Sequence, residues 1–201
     1  MQEWEEMKVK ICGLMCPEDA AMCEDLGADA LGFVHVPGRS RSLPLESISE
    51  MCSSLGSVTS RVLVCKPPTV DSSLAMLADS GADTLQLYSL EPDELLELRD
   101  HGVKVLRVVK PSDGEAERYA SVVDALVFEN GMPGTGAAYD YSSIPAGLRG
   151  RSFIAGGLTP ENVHIARALK PYGVDVSSGV EVEFGRKDPE KVERFIRGCR
   201  S

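Results

Sequence analysis

The sequence predicts a single-domain (β/α)8 barrel that spans residues 1–201. Eight short, continuous apolar runs alternate with polar segments of helical character. Continuous apolar runs are typical of strands that are buried on both faces of a parallel sheet. In addition, the last two runs end in small residues, Gly156-Gly157 and Ser177-Ser178-Gly179. The loops after strands 7 and 8 commonly form a phosphate site in such barrels, and a helix behind each loop adds a positive dipole end.

The predicted elements follow one another with little chain between them. The strands are Lys8–Gly13, Ala30–His35, Arg61–Cys65, Thr84–Tyr88, Val103–Val109, Ala125–Glu129, Ser152–Ala155 and Val174–Ser177. Proline near a helix start and glycine after its end mark several of the helices. Helices are predicted from Pro17 to Gly27, from Pro44, over Val70–Ser80, Glu91–His101, Asp113–Ser121 and Tyr139–Ala146, and after Pro160 and Asp188. The sixth, Tyr139–Ala146, is the weakest of these.

Composition narrows the function classes. With 43% hydrophobic and 26% charged residues, the chain can bury one sizeable core. The net charge is -10 and no Lys/Arg cluster stands among aromatic residues, so a nucleic-acid partner is not expected. No apolar run approaches ~18 residues, so no membrane span is predicted. The N-terminus is acidic, so no secretory signal is predicted either, and we expect a cytoplasmic protein. Residues 1–6 are interpreted as an N-terminal extension before Met7.

The six cysteines do not predict a metal site. They lack C-x-x-C spacing, and the chain has only three histidines. In a reducing compartment, cysteines mostly behave as small hydrophobic residues. This interpretation is adopted for every cysteine except Cys12.

Catalytic groups of such barrels lie at the C-terminal ends of the strands. This rule selects Cys12, His35, Arg41, Gln86, Tyr88, Lys110, Glu129, Asp175 and Ser177. Cys12 and Glu129 stand out as titratable groups at the ends of strands 1 and 6. A thiolate and a carboxylic acid that face one sugar could act as base and acid. A phosphate bound nearby would oppose thiolate formation, so the fold must supply N–H groups or cations beside Cys12.

Each candidate also has a simpler interpretation. Cys12 alone could be a buried small residue, and Glu129 a solvated loop carboxylate before the Asn130-Gly131 turn. Arg39 and Arg41 follow strand 2 and could bind an anion or form a charged surface loop. The two glycine-containing turns could be turns only, although their position at consecutive strand ends favours phosphate binding.

Several motifs together resemble one enzyme family. They are Lys8-Val9-Lys10-Ile11-Cys12-Gly13, Arg41, Gln86-Leu87, Gly134-Thr135-Gly136, Gly156-Gly157-Leu158-Thr159-Pro160-Glu161-Asn162-Val163 and Val174-Asp175-Val176-Ser177-Ser178-Gly179-Val180-Glu181. In this order they resemble phosphoribosylanthranilate isomerase, an enzyme of tryptophan biosynthesis. The similarity covers residues 7–199, including Lys187-Asp188 before the last helix.

The resemblance implies an Amadori rearrangement of the small phosphosugar N-(5-phosphoribosyl)anthranilate, without metal or organic cofactor. Cys12 would be the general base that removes a proton from C2 of the ribose. Arg41 would hold the anthranilate carboxylate, and Gln86 and Asp175 would contact the substrate. The N–H groups that would bind the phosphate belong to Gly156, Gly157, Ser178 and Gly179.

The chain departs from the family at two positions. The family's general acid is an aspartate near the end of strand 6, where this chain has Glu129; Asp124 lies at the opposite end of that strand. Glu129 is therefore assigned as the acid. The family usually has histidine where this chain has Tyr88, which is interpreted as a rim residue rather than a pocket residue.

Two alternatives stay open at this point. Another phosphosugar barrel enzyme, such as indole-glycerol-phosphate synthase or a histidine-pathway isomerase, would need a lysine or two aspartates at the strand ends. A protein that only binds a phosphate ligand could have kept the phosphate loops and lost the chemistry, and the change of aspartate to Glu129 makes this worth considering.

Overall fold

The computed structural model describes residues 6–111, 114–130 and 139–201, and its centre is a closed barrel of parallel strands. The strands are hydrogen-bonded in sequence order, and the eighth pairs with the first, for example Val9 beside Val174. Their bounds are β1 Lys8–Cys12, β2 Ala30–His35, β3 Ser60–Cys65, β4 Thr84–Leu87, β5 Lys104–Val109, β6 Ala125–Phe128, β7 Ser152–Ala155 and β8 Gly173–Val176. The predicted fold class and the eight strands of the barrel are confirmed.

Helices follow each strand and pack around the barrel. Their bounds are α1 Pro17–Asp25, α2 Leu45–Ser54, α3 Val70–Ser80, α4 Pro92–Asp100, α5 Ala116–Ala120, α6 Ala146–Arg149, α7 Val163–Ala168 and α8 Pro189–Arg200. The predicted proline at a helix start is confirmed at α1, where Pro17 occupies the first turn. At the start of α8, the Asp188 carboxylate accepts from the N–H of Glu190, 2.9 Å away.

The prediction for the sixth helix is wrong in its bounds. Instead of a helix over Tyr139–Ala146, the structure has a short 3-10 helix, Tyr141–Ser143, followed by α6. The Asp140 carboxylate accepts from the Ser142 N–H at 3.0 Å and starts the 3-10 turn. Pro145 then keeps Ile144 in an extended conformation (ψ 125°), so the two segments cannot join into one helix.

Strand alternation produces two apolar layers. Residues such as Val9 and Ile11 face the helices and belong to the large core between barrel and helices. The barrel interior is filled by the opposite faces, in a cluster made of Ala30, Val62, Val64, Leu106, Ala125, Val127, Phe153 and Ala155. At its N-terminal end the Phe153 ring takes the space beside Gly173, where a Cβ would lie 2.5 Å from the ring.

The N-terminal rim is tied by aspartates that precede the strands. The carboxylates of Asp29 and Asp83, from the repeated Gly-Ala-Asp segments, accept from the backbone N–H groups of Val9 (2.9 Å) and Arg61 (3.0 Å). Asp124 does the same for Val105 at 2.8 Å. Asp124 therefore has a structural role at the rim opposite Glu129, as the sequence indicates.

A hairpin that the sequence did not predict follows β8. It consists of β9, Glu181–Glu183, and β10, Arg186–Lys187. At the other terminus, residues 1–5 lie outside the described part of the chain, so an extension over residues 1–6 stays a prediction; Glu6 forms an ion pair with Arg200 at 3.2 Å. Within the described ranges, no helix is long and apolar enough to span a membrane.

Candidate active site

A single cavity at the C-terminal ends of the strands gathers the residues that the sequence singled out. All residues assigned to catalysis, substrate or phosphate line it, namely Cys12, Arg41, Gln86, Glu129, Gly156, Gly157, Asp175, Ser178 and Gly179. Ser177 lines it too, whereas His35 bonds the Leu43 carbonyl through its Nδ1 (2.8 Å) and, with Lys110, is not among the lining residues.

The period of two along each strand explains this convergence. Cys12 lies two residues after Lys10, Gln86 two before Tyr88, and Glu129 two after the interior residue Val127. Positions separated by two residues share one face of a strand, here the face that points into the barrel. Polar side chains thus form the layer above the apolar interior, where the strands open to solvent.

Cys12 lies beside a buried cation. A Cβ built at Gly32 on the neighbouring strand would be 2.8 Å from the Cys12 sulfur and 3.0 Å from Lys10 Nζ, so glycine leaves room for both groups. Burial raises the pKa of the Cys12 thiol, and the Lys10 ammonium acts in the opposite direction. The net pKa of Cys12 remains above its ordinary value, so the cation expected beside Cys12 is present but offsets the effect of burial only in part.

Lys10 and Asp175 form an ion pair inside the barrel. Lys10 Nζ donates to both carboxylate oxygens of Asp175 at 2.9 Å, and the lysine side chain is fully buried. Burial by itself lowers the pKa of Lys10, but the interactions with Asp175 and Cys12 together outweigh this and the net pKa is raised. Lys10 was not predicted as a site residue, although its position two residues before Cys12, on the same inward face of the strand, is a signal for a buried charge with a functional partner.

Glu129 is held by Tyr88. The Tyr88 hydroxyl donates to Glu129 Oε2 at 2.9 Å, and both residues line the cavity. The interpretation of Tyr88 as a rim residue is therefore wrong: Tyr88 directly follows β4 and lines the pocket together with Gln86, two residues before it. Burial raises the pKa of the Glu129 carboxyl, while the hydrogen bond from Tyr88 opposes that rise.

Gln86 contributes an unsatisfied polar atom. Its side chain is 3% exposed, and its Oε1 has no hydrogen-bond partner among the described residues. A buried, unpaired amide oxygen costs free energy unless something else bonds it. Because Gln86 lines the cavity, a ligand there could supply that bond.

Arg41 is already engaged. Its Nε and Nη2 bond the two carboxylate oxygens of Glu181 at 3.0 and 2.7 Å, and its guanidinium lies 4.6 Å from the centre of the Phe184 ring. Lys187 Nζ also donates to Glu181, at 3.0 Å. The hairpin after β8 thus fixes Arg41 at the cavity wall, whereas Arg39, which lines the same cavity, is exposed at its mouth.

The turns after β7 and β8 are in close contact. Gly156 and Gly157 have positive φ angles of 90° and 69°, which favour glycine. A Cβ at Gly179 would lie 1.8 Å from the Leu158 carbonyl oxygen, so only glycine allows the two turns to approach this far. The Gly134-Thr135-Gly136 segment lies outside the described residues.

The helices behind these turns are shorter than expected. The first turn leads to α7, which has six residues, and the second leads directly into a 3-10 helix, Ser178–Val180. A helix dipole is correspondingly weak at both places. Any anion here therefore depends mainly on local N–H groups. All six cysteines are free thiols, and the part of the chain that the structure describes holds no cluster of three or more His, Cys, Asp or Glu residues that could bind a metal.

Comparison with known proteins decides the family. The family model described as N-(5'phosphoribosyl)anthranilate (PRA) isomerase matches residues 9–198. The chain belongs to this isomerase family. The match extends from β1 into α8, and it confirms the resemblance and the prediction that the chain is an enzyme.

Individual relatives agree in length and fold. The isomerase of Methanothrix thermoacetophila is 37% identical over 96% of this chain and 98% of its own length, and that of Haloferax volcanii is 35% identical over 96% and 93%. The crystal structure from Thermus thermophilus superposes with a TM-score of 0.85 at 32% identity, covering 96% of this chain and 98% of its own. Another solved isomerase, in complex with reduced 1-(o-carboxyphenylamino)-1-deoxyribulose 5-phosphate, has a TM-score of 0.83 at 30% identity, covering 96% and 98%.

Proposed function

We propose that this chain isomerises N-(5′-phosphoribosyl)anthranilate in the cavity described above, with Glu129 as general acid and Cys12 as general base. This proposal is supported above all by one observation: the Glu129 carboxyl, directly after β6, and the Cys12 thiol, at the end of β1, line one cavity that also includes the glycine turns after β7 and β8. The reaction is the Amadori rearrangement of tryptophan biosynthesis, and it requires proton transfers at two positions of one sugar.

Glu129 would act first. Its carboxyl donates a proton to the ring oxygen of the ribose, the C1–O bond breaks, and the nitrogen lone pair forms a protonated imine. A carboxyl can do this near neutral pH only if it retains its proton. Burial, which raises the pKa of Glu129, favours that state.

Cys12 would complete the reaction. The protonated imine acidifies C2, the thiolate removes the C2 proton, and the electron pair of the C2–H bond forms the C1–C2 double bond of the enolamine while the C1–N double bond becomes single. The enolamine then becomes the ketone by gaining a proton at C1 and losing the proton of the C2 hydroxyl. The raised pKa of Cys12 leaves little thiolate in the free protein. The protonated imine places a second positive charge near the sulfur, besides that of Lys10. The intermediate itself therefore favours ionisation of the thiol.

The remaining wall residues would bind the substrate. The glycine turns supply N–H groups for the phosphate, from Gly156, Gly157, Ser178 and Gly179. Arg41 would hold the anthranilate carboxylate; its Nε and Nη2 bond Glu181, which leaves Nη1 for the ligand. Gln86 Oε1 would receive a hydrogen bond from the substrate, and Asp175 would contact sugar hydroxyls.

The decisive experiment follows the loss of anthranilate fluorescence from substrate generated in situ. Cys12→Ser and Glu129→Gln are compared with wild type and with Cys16→Ser, a thiol four residues further on that does not line the cavity. We expect a loss of about two to four orders of magnitude in kcat for the first two variants, the usual contribution of an acid or base, and wild-type turnover for Cys16→Ser.

Other outcomes would contradict the proposal in distinct ways. Turnover by Glu129→Gln at the wild-type rate would place the acid elsewhere. If wild type binds the reduced product analogue but does not turn over the substrate, the chain is a phosphate-ligand binding protein. Location in the cytoplasm stays a prediction, which fractionation with an antibody would check.

A further inference from the structure

The side chain of Tyr88 forms a hydrogen bond with one oxygen of the Glu129 carboxyl group. Its hydroxyl donates to Oε2 at 2.9 Å, across the barrel mouth from β4 to the end of β6. Burial and the nearby Glu129 carboxylate raise the pKa of Tyr88, so the hydroxyl keeps its proton and remains a donor over the whole working pH range.

A donor fixed on one carboxylate oxygen decides where the acid can carry its proton. While Tyr88 donates to Oε2, a proton on that oxygen would compete with the tyrosine proton for the same contact. Oε1 is free of this contact. A carboxyl with three side-chain torsions also gains from an anchor, because general acid catalysis depends on orientation.

We infer that Tyr88 is the positioning residue of the acid: its hydroxyl holds Glu129 Oε2, so that the proton transferred to the substrate is carried by Oε1. This inference rests on the proposed function for the role of Glu129 as acid. The contact itself does not depend on that role.

Other charged or titratable groups face this pair from the surrounding elements. They are Lys10, Cys12, Arg39, Tyr139 and Asp175. Asp175 acts to raise the pKa of Glu129, whereas Lys10 and Arg39 act to lower that pKa. None of these three groups is changed by the substitution described below. Removal of the Tyr88 hydroxyl therefore isolates the contribution of its hydrogen bond to the pKa of Glu129.

The test is a double-mutant cycle with Tyr88→Phe, Glu129→Gln and the double variant. Tyr88→Phe should lower kcat about 10-fold to 100-fold, as expected for a misplaced catalytic group, with little change in KM. In the Glu129→Gln background, the same substitution should cause no further loss of kcat. Tyr172→Phe, which removes a hydroxyl just before β8 at the opposite rim, serves as the matched control and should behave as wild type.

The pH profile separates positioning from packing. A hydrogen bond donated to a carboxylate favours its ionised form, so Tyr88→Phe should shift the limb of kcat that belongs to Glu129 to higher pH by about one unit. Equal losses of kcat in both backgrounds, or an effect on KM alone, would overturn the inference. If wild type proves inactive on the substrate, a 13C NMR titration of Glu129 in wild type and Tyr88→Phe tests the contact independently; an unchanged pKa would then overturn it.

Discussion

The ammonium group of Lys10 lies 2.9 Å from each carboxylate oxygen of Asp175, inside the barrel and next to the Cys12 sulfur. Ion pairs of this kind are costly to desolvate and are kept where geometry and hydrogen bonding are good. This one joins β1 to β8, the strands whose pairing closes the barrel. It also places a positive charge beside Cys12, the candidate base. The same ion pair therefore contributes both to the stability of the barrel and to the electrostatics of the site.

Removal of Lys10 should therefore affect stability strongly. Lys10→Met leaves the Asp175 carboxylate buried without its cation, which should lower the free energy of unfolding by about 3–5 kcal/mol. Urea denaturation measures this. Lys8→Met is the matched control on the same strand, because Lys8 is 41% exposed and its ion pair with Asp29 should contribute less than about 1 kcal/mol. Equal losses for the two variants would show that the buried pair is not special.

Alkylation of Cys12 should be slow at neutral pH. Burial raises the pKa of this thiol above the ordinary cysteine value of about 8.5. The thiolate, which is the reactive form, therefore becomes the major species only at a pH above that value. In a Cys16→Ser background, where the other thiols are buried, the rate with iodoacetamide should still be rising past that pH. A plateau reached below pH 8.5 would mean that the neighbouring cations outweigh burial.

Gly179→Ala should disrupt phosphate binding. The new Cβ would lie 1.8 Å from the Leu158 carbonyl oxygen, a backbone atom that cannot move aside alone, so the turns after β7 and β8 must separate. We expect KM for the substrate to rise at least about 10-fold, the effect of losing hydrogen bonds to a charged group. Gly147→Ala in α6, where a Cβ meets nothing within 4 Å, should leave KM unchanged.

Glu181 should contribute stability that depends on pH. Although burial acts to raise its pKa, the bonds from Arg41 and Lys187 outweigh it and the net pKa is lowered. A carboxyl with a lowered folded-state pKa stabilises the protein above its unfolded-state pKa of about 4.3, and this contribution is lost as the pH falls through the folded-state value. Glu181→Gln should be less stable than wild type at pH 7, and the difference should shrink on acidification. A constant difference in urea titrations from pH 7 to pH 3 would contradict this.

Much of this architecture could be predicted because its signals are local. Apolar runs with glycine and proline boundaries predicted the observed bounds of β2, α3 and β7. The strand-end rule selected nine residues, of which seven line the cavity and two, His35 and Lys110, do not. The sixth helix failed for a local reason as well, since Asp140 and Pro145 favour a 3-10 turn and a break over continuous helix.

By itself, the sequence determined the barrel, the family and most of the functional residues at the cavity, because strand periodicity and motif order are properties of the linear sequence. Tertiary structure decided which of those residues touch. The Tyr88–Glu129 hydrogen bond, the Lys10–Asp175 pair and the capture of Arg41 by Glu181 join residues that are 41, 165 and 140 positions apart. Residues this far apart in the sequence are brought together by the closure of the barrel and by the hairpin after β8, which was not predicted. These features determine the distance between the partner side chains and how deeply the side chains are buried. Those two quantities, in turn, decide which carboxyl keeps its proton and which cation remains available to a ligand.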